Sequence, residues 1–278
     1  AASHFFVSQS TLSRQIANLE TELGVKLFDR DTRSVSLTKA GSVLYAHCPL
    51  LIGHFDTVIR RVDAAKQGHA EPLAIATVSE FRSRLSHIVE RFRERHPDIQ
   101  LLVDDLSFEA VADAILNGVY DIGLTLDFMV PASDRIEAIP IGRDPLVAVA
   151  RADSAAPLAA TVGLNDLLGR VVAVPAVGDP ETVRRLKLAA RQSPDAQTIF
   201  VGCPNSLSAL LRVAFSDAIA IMPRTAVEHR VAAGEFVTSE ISEPSAWATW
   251  YLLTSKDRAA PATKHFLSVA RSCHRLGP

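Results

Sequence analysis

Near the start of the chain, after a polar cluster that begins at Ser8, the side chains of Gln9, Ser10, Ser13, Arg14 and Asn18 share one side of an expected helix. The other side carries Leu12, Ile16, Leu19 and Leu23, at helical spacing. Gln and Arg present donor and acceptor patterns that suit base edges in a major groove, and Ser hydroxyls suit phosphates. On an arbitrary surface helix the same face would only be solvated. Its meaning therefore depends on what surrounds it.

A second set of polar positions lies at the ends of expected strands. In open α/β sheets, ligands collect beyond the carboxyl ends of strands, where helix N-termini offer free N–H groups. Ser79 follows an expected strand at Leu73–Val78, Ser107 one at Ile99–Asp105, and Thr125 and Asp127 mark the end of one at Asp121–Thr125. Ala176 and Cys203 hold like places in the second half, within Pro175-Ala176-Val177 and Gly202-Cys203-Pro204-Asn205. Arg82 could add charge for an acidic ligand, and Glu80 would oppose one. Each residue alone also reads as a helix cap; their common position makes a shared cleft the expectation. A small polar or carboxylate-bearing ligand is the working hypothesis.

Other chemistries lack their residues. The chain has no G-x-S-x-G, C-x-x-C, H-E-x-x-H, G-x-x-x-x-G-K-[ST] or G-x-G-x-x-G. The nine histidines show no metal-ligand spacing, and His87 and His96 read as surface residues of a helix. Cys48, Cys203 and Cys273 are odd in number and far apart, which fits neither a disulfide framework nor zinc. Cys203 has no nearby partner thiol for disulfide redox sensing. The expectation is a binding protein in a reducing cytoplasm, not an enzyme, with no cofactor and no metal.

Three regions must position these residues. The 278-residue chain is 48% hydrophobic and 22% charged, ordinary for a globular protein of two or three domains. Residues 1–66 carry a net +2 and residues 67–278 a net −4, a mildly basic front and an acidic rear. No apolar run approaches a membrane span, and no basic-then-apolar leader is present. In the front region, residues 1–38, Gly24 is a candidate helix-ending glycine. Asp29–Arg33 is a charged turn between short apolar runs, which predicts a helix followed by a two-stranded ribbon.

From Thr38, a candidate N-cap, a long helix is expected to about Lys66. Leu44, Cys48, Leu51, Phe55, Val58, Val62 and Ala65 form a heptad seam that favours pairing with a second helix. Pro49 interrupts it and predicts either a kink or a late helix start. A hinge follows, so that residues 39–71 form the linker. Residues 72–278 alternate strands and helices, which implies mostly parallel α/β units in two subdomains, about 72–144 with 246–278, and about 145–245.

In this setting, Ala1–Ile16 with Leu19-Glu20, Leu23–Arg30 and Leu37–Gly41 closely resembles the LysR-type transcriptional regulators. Phe92 before His96-Pro97, Leu116-x-Gly118-x-x-Asp121-Ile122-Gly123, and Ala156-Pro157-Leu158 extend the likeness. The resemblance implies a winged helix-turn-helix, a linker helix that pairs in dimers and a periplasmic-binding-protein-like α/β effector domain. It also implies a homotetramer, a double-stranded operator as partner and a small-molecule effector in the cleft between subdomains. Carried onto this chain, the recognition helix spans Ser8–Glu22. Gln9, Ser10 and Arg14 become base readers with Ser13 on phosphate, Ser8 joins them as a DNA-binding candidate, and Arg30 and Arg33 hold backbone from the wing. Three features depart from the pattern. The family's first helix, expected before Ala1, is not in this sequence. Ser10 stands where proline is common. Ala214–Ala220 replaces a glycine-rich turn. The alternative reading, a solute-binding protein, accounts for residues 72–278 but not for Ser8–Gly41 or the heptad seam.

Overall fold

A computed structural model describes residues 8–30, 35–68, 70–78, 82–154, 156–258 and 260–274. The chain divides into two compact units, Ala1–Asp56 and Thr57–Pro278.

In the first unit, helix α1 (Gln9–Leu23) starts where Ser8 Oγ accepts the Thr11 N–H at 3.1 Å. It ends at Gly24, whose φ of 67° is left-handed and whose N–H donates to the Thr21 carbonyl. Strands β1 (Phe28–Arg30) and β2 (Val35–Leu37) pair antiparallel, as the ribbon expectation requires. Helix α2 (Lys39–Lys66) begins at Thr38, whose Oγ1 accepts the Gly41 N–H at 2.9 Å and donates to the Lys26 carbonyl at 2.7 Å. The helix runs unbroken through Pro49, so the late start does not occur. Gly41 sits against the ribbon base: a Cβ there would lie 1.9 Å from the Leu27 carbonyl oxygen.

The second unit holds the last turns of α2 and a large mixed sheet. Its first lobe contains β3 (Leu73–Thr77), α3 (Arg82–Arg95), β4 (Leu101–Asp105), α4 (Phe108–Leu116) and β5 (Ile122–Leu126). The long β6 (Ile136–Arg151) leads to β7 (Thr161–Val162), β8 (Val171–Pro175), α5 (Glu181–Gln192), β9 (Ile199–Cys203), α6 (Ser206–Ala214), β10 (Ile219–Pro223), α7 (Glu228–Ala232) and β11 (Phe236–Ile241). The chain returns through β12 (Trp247–Ser255) and ends its described part in α8 (Pro261–His274).

Strands β4, β3 and β5 are parallel, as are β9, β8 and β10; β12, β6 and β11 add antiparallel pairings. The sheet is thus more mixed than expected. β6 serves both lobes: Ile136–Pro145 pairs with β12, and Leu146–Arg151 pairs with β10 and β11. The front half of β6 carries Pro140 and Gly142, residues that argue against a regular strand. They face a register irregularity at Trp250/Tyr251, where a bulge accommodates them. Buried Trp250, Phe92 and Phe266 anchor the first lobe, with the Phe92 and Phe266 rings 5.2 Å apart. Val147, Val149, Ala173, Leu210 and Val213 centre the second.

Candidate functional site

The front face is built from a capped helix and a ribbon beside it. Ser10 and Arg14 are exposed on α1, and Ser13 is half-buried. Ser8 Oγ also shares hydrogen bonds at 2.8 Å with the hydroxyls of Ser10 and Thr11, so the cap fixes the first turn of the polar face. Arg33 lies outside the described residues, as do the side chains of Gln9 and Arg30. On the apolar side, Leu19 and Leu23 are 41% and 50% exposed.

Glu20 ties helix to ribbon, a role that the helical pattern did not reveal. Its Oε1 accepts the N–H groups of Leu27 at 2.8 Å and Phe28 at 3.2 Å, and its Oε2 meets Lys26 Nζ at 2.9 Å. The Lys26 hydrogen bond, then the Leu27 N–H, pull its carboxyl down to about 2, against the upward push of burial. Its signal in the sequence was a lone acid on the buried side of α1, seven residues before the backbone it holds.

The other end of α2 is tied as well. Arg61 Nη2 donates to both Asp121 oxygens at 2.8 Å, and Arg61 Nε lies 3.3 Å from Glu71. Asp121 Oδ2 also accepts the Ala74 N–H at 2.8 Å, which places this pair at the root of the first lobe's sheet. Leu51, Phe55, Val58 and Val62 of the heptad seam are exposed.

Between the two lobes of the second unit, Leu126 and Phe128 of the first lobe line a cleft with Leu146, Ala173–Pro175, Pro180, Cys203, Asn205, Ser206, Ala209 and Ile221–Pro223 of the second. The cleft is narrow, with a cavity of about 20 Å³, room for about one water. Gly178 in the second lobe has φ +70°, and a Cβ on it would lie 2.7 Å from the Phe128 carbonyl oxygen and 2.5 Å from Met129 Sδ. The lobes therefore meet at a glycine with no room for a side chain.

Of the strand-end candidates, Cys203 lines this cleft; it is the last residue of β9 rather than the first beyond it. Ala176 is exposed beside the lining residue Pro175 and donates its N–H to the Cys203 carbonyl at 2.8 Å. Thr125 and Asp127 flank lining residues, Leu126 and Phe128, without being among them. Thr125 is buried, and its hydroxyl has no hydrogen-bond partner among the described residues. The Asp127 carboxyl accepts the Phe128 N–H at 3.0 Å; desolvation by the surrounding protein raises its affinity for a proton, with Phe128 and Thr249 N–H groups acting the other way. Ser107 is the N-cap residue of α4, makes no side-chain cap bond and does not line the cleft. Ser79 lies outside the described residues. Arg82 opens α3, and its side chain also lies outside them. Leu146, Ile221 and Met222 were not singled out in the sequence because they read as ordinary core strand residues.

Among the described residues, no group of three or more His, Cys, Asp and Glu side chains could hold a metal ion. No described helix is long and apolar enough to cross a membrane.

Comparison with known proteins covers both units. Residues 1–42 match the model of the bacterial regulatory helix-turn-helix protein, lysR family, and residues 66–273 match the LysR substrate binding domain. The chain is 32% identical over 151 residues to the HTH-type transcriptional regulator YnfL of Escherichia coli (strain K12), covering 54% of this chain and 50% of that protein. It is 32% identical over 147 residues to the HTH-type transcriptional regulator TfdT of Cupriavidus pinatubonensis (strain JMP 134 / LMG 1197), covering 52% of this chain and 64% of that protein. These matches span half to nearly two thirds of the relatives' lengths. The fold is similar to that of full-length CbnR complexed with its target DNA, at a TM-score of 0.66 and 18% identity over 99% of this chain and 93% of that one.

Proposed function

We propose, from the premise that the chain belongs to the LysR family, that it is a DNA-binding transcriptional regulator whose operator binding responds to a small molecule held between its lobes. The observation that carries this reading is a capped helix with Ser10 and Arg14 exposed on one face, followed by a two-stranded ribbon. In this reading α1 enters the major groove. Gln9, Ser10 and Arg14 address base edges, Ser8 and Ser13 lie against phosphate, and Arg30 and Arg33 hold the backbone from the ribbon. The helix-turn-helix match over residues 1–42 favours a regulator over a solute-binding protein.

Residues 1–38 then form the DNA-binding part, 39–71 the linker and 72–278 the effector domain. The exposed seam of α2 pairs with a second copy in a homodimer, two of which make a homotetramer, so the operator is pseudo-palindromic. The effector site takes Cys203 from the cleft wall, with Ala176, Thr125 and Asp127 beside lining residues, and keeps Ser79, Arg82 and Ser107 as candidates from their places at strand ends in the sequence. The named relatives are regulators, which supports a role without catalysis, and DNA as partner puts that role in the cytoplasm.

Gel shifts on the DNA upstream of the chain's own gene test the reading. Arg14→Ala should weaken operator binding by about 1–3 kcal/mol, roughly five- to 150-fold, if Arg14 makes a two-pronged base contact. Affinity should also fall steeply with salt. Unchanged affinity in Arg14→Ala would remove α1 from the interface.

A further inference from the structure

The lobes join where β6 and β12 pass from one to the other. Along β6 the pairing changes partner at Pro145. Asp144 and Pro145 pair with Ala248 and Trp247 of β12, and Leu146 and Val147 pair with Pro223 and Met222 of β10. Pro145 has no N–H with which to carry a ladder on. Carried two residues further, the register of β6 and β10 sets Asp144 opposite Thr225, in the turn Arg224–Ala226 that follows β10. There a side chain takes the place of the ladder. The Thr225 hydroxyl donates to Asp144 Oδ2, and the Thr225 N–H reaches the same oxygen at 3.4 Å.

We propose that the Thr225–Asp144 hydrogen bond is a clasp that sets how readily the two lobes part. This rests on the reading of the cleft as a site that opens to admit a ligand. Asp144 is only 1% exposed, so water is a poor substitute for its partner, and loss of the hydroxyl strands a buried carboxyl on one long N–H bond. A hydroxyl bonded to a carboxylate also holds more strongly than one bonded to a neutral acceptor.

The two ends of the clasp belong to different lobes. Asp144 is held in the β6–β12 ladder, beside Arg143, whose guanidinium lies 5.1 Å over the Trp247 ring. Thr225 stands two residues beyond Pro223, at the end of a second-lobe strand. Leu146 and Pro223, each two residues from one end of the clasp, both line the cleft. A rotation of one lobe on the other at Pro145 therefore has to break this bond before it moves the cleft wall.

Cys203 reports that motion. It lines the cleft at 3% exposure, and a cavity of about 20 Å³ has no room for a maleimide ring. The test is alkylation of Cys203 by N-ethylmaleimide in the full chain, read by mass spectrometry, with hydrogen exchange at β8 and β10 as the measure of unfolding. Thr225→Val should speed alkylation by about tenfold or more with β8 and β10 exchange unchanged, and Thr225→Ser, which keeps the hydroxyl, should stay within about twofold of the parent. The double variant Asp144→Val/Thr225→Val strands no buried carboxyl, so it tests the clasp even where the single change costs the fold. It should also react faster than the parent with exchange unchanged. An unchanged Cys203 rate in the double variant, or a rate that rises only in step with β8 and β10 exchange, would overturn the clasp and leave the cleft standing. Alkylation in the parent that never outpaces β8 and β10 exchange would show that the lobes do not part, and the clasp and the cleft reading would fall together.

Discussion

In the Ala1–Asp56 unit, Leu27 is the one large apolar side chain buried among the described residues, and polar ties do much of the holding. Glu20 gathers two ribbon N–H groups and Lys26, while Thr38 fastens the start of α2 to the ribbon base. In the Thr57–Pro278 unit, buried Val, Leu, Ile, Phe and Trp side chains line both lobes, and the Arg61–Asp121 pair is a local addition. A polar tie fails when one atom moves or one proton binds, whereas an apolar core loses stability in proportion to the area exposed. The front unit should therefore be the more fragile to point changes and to acid.

The largest expected effect comes from Gly41→Ala. The added methyl would collide with the Leu27 carbonyl, a backbone atom with little freedom to yield, and should cost about 3 kcal/mol. Operator binding should be lost while the main melting transition stays in place; a shift of that transition would show that the two units do not differ in this way. Arg61→Ala probes the polar tie of the second unit. It leaves the mostly buried Asp121 carboxylate without its cation and should cost about 2 kcal/mol, less than for a fully buried pair because Arg61 is a quarter exposed. Chemical denaturation of the full chain would measure it, and a loss below the error of the fit would mean that the apolar sheet alone sets this unit's stability. Ser8→Ala removes one cap bond, at about 1 kcal/mol, and should fray the first turn of α1 in hydrogen exchange without altering the ligand domain.

Acid gives the smallest effect at neutral pH and the cleanest separation below it. The Glu20 carboxyl is pulled from 4.5 down to about 2 in the folded chain. Its contribution is complete above about 4.5 and is lost as pH falls toward 2. Hydrogen exchange across this range should show the ribbon amides of Leu27 and Phe28 opening before those of β8 and β10. Glu20→Gln should abolish that order, and simultaneous opening in the parent chain would refute the contrast.

What the sequence revealed follows the same division. The polar face of α1, the Gly24 ending and the Thr38 cap are local, set by spacing and by the conformations that Gly and Thr favour. Glu20 acts on a backbone that returns seven residues later, so a helical pattern registers only an acid on the wrong side. In the second unit the strand ends were found because helix starts follow them, and Cys203 does line the cleft. Leu146, Ile221 and Met222 reach the same cleft from strands that read as core. The front half of β6 was hidden by Pro140 and Gly142, whose place in a sheet depends on an irregular partner strand far away in sequence.

The passage of β6 and β12 between lobes has a consequence for biosynthesis. The second lobe is one continuous insertion, while the first is split and needs α8 to cover Phe92 with Phe266. On the ribosome, where domains fold as units during synthesis, β3–β5 must wait through the whole second lobe before their closing helix emerges. The order of completion is thus the reverse of the order of translation. A truncation between β12 and α8 would release a chain with its second lobe finished and its first lobe open, a form suited to recognition by chaperones and proteases.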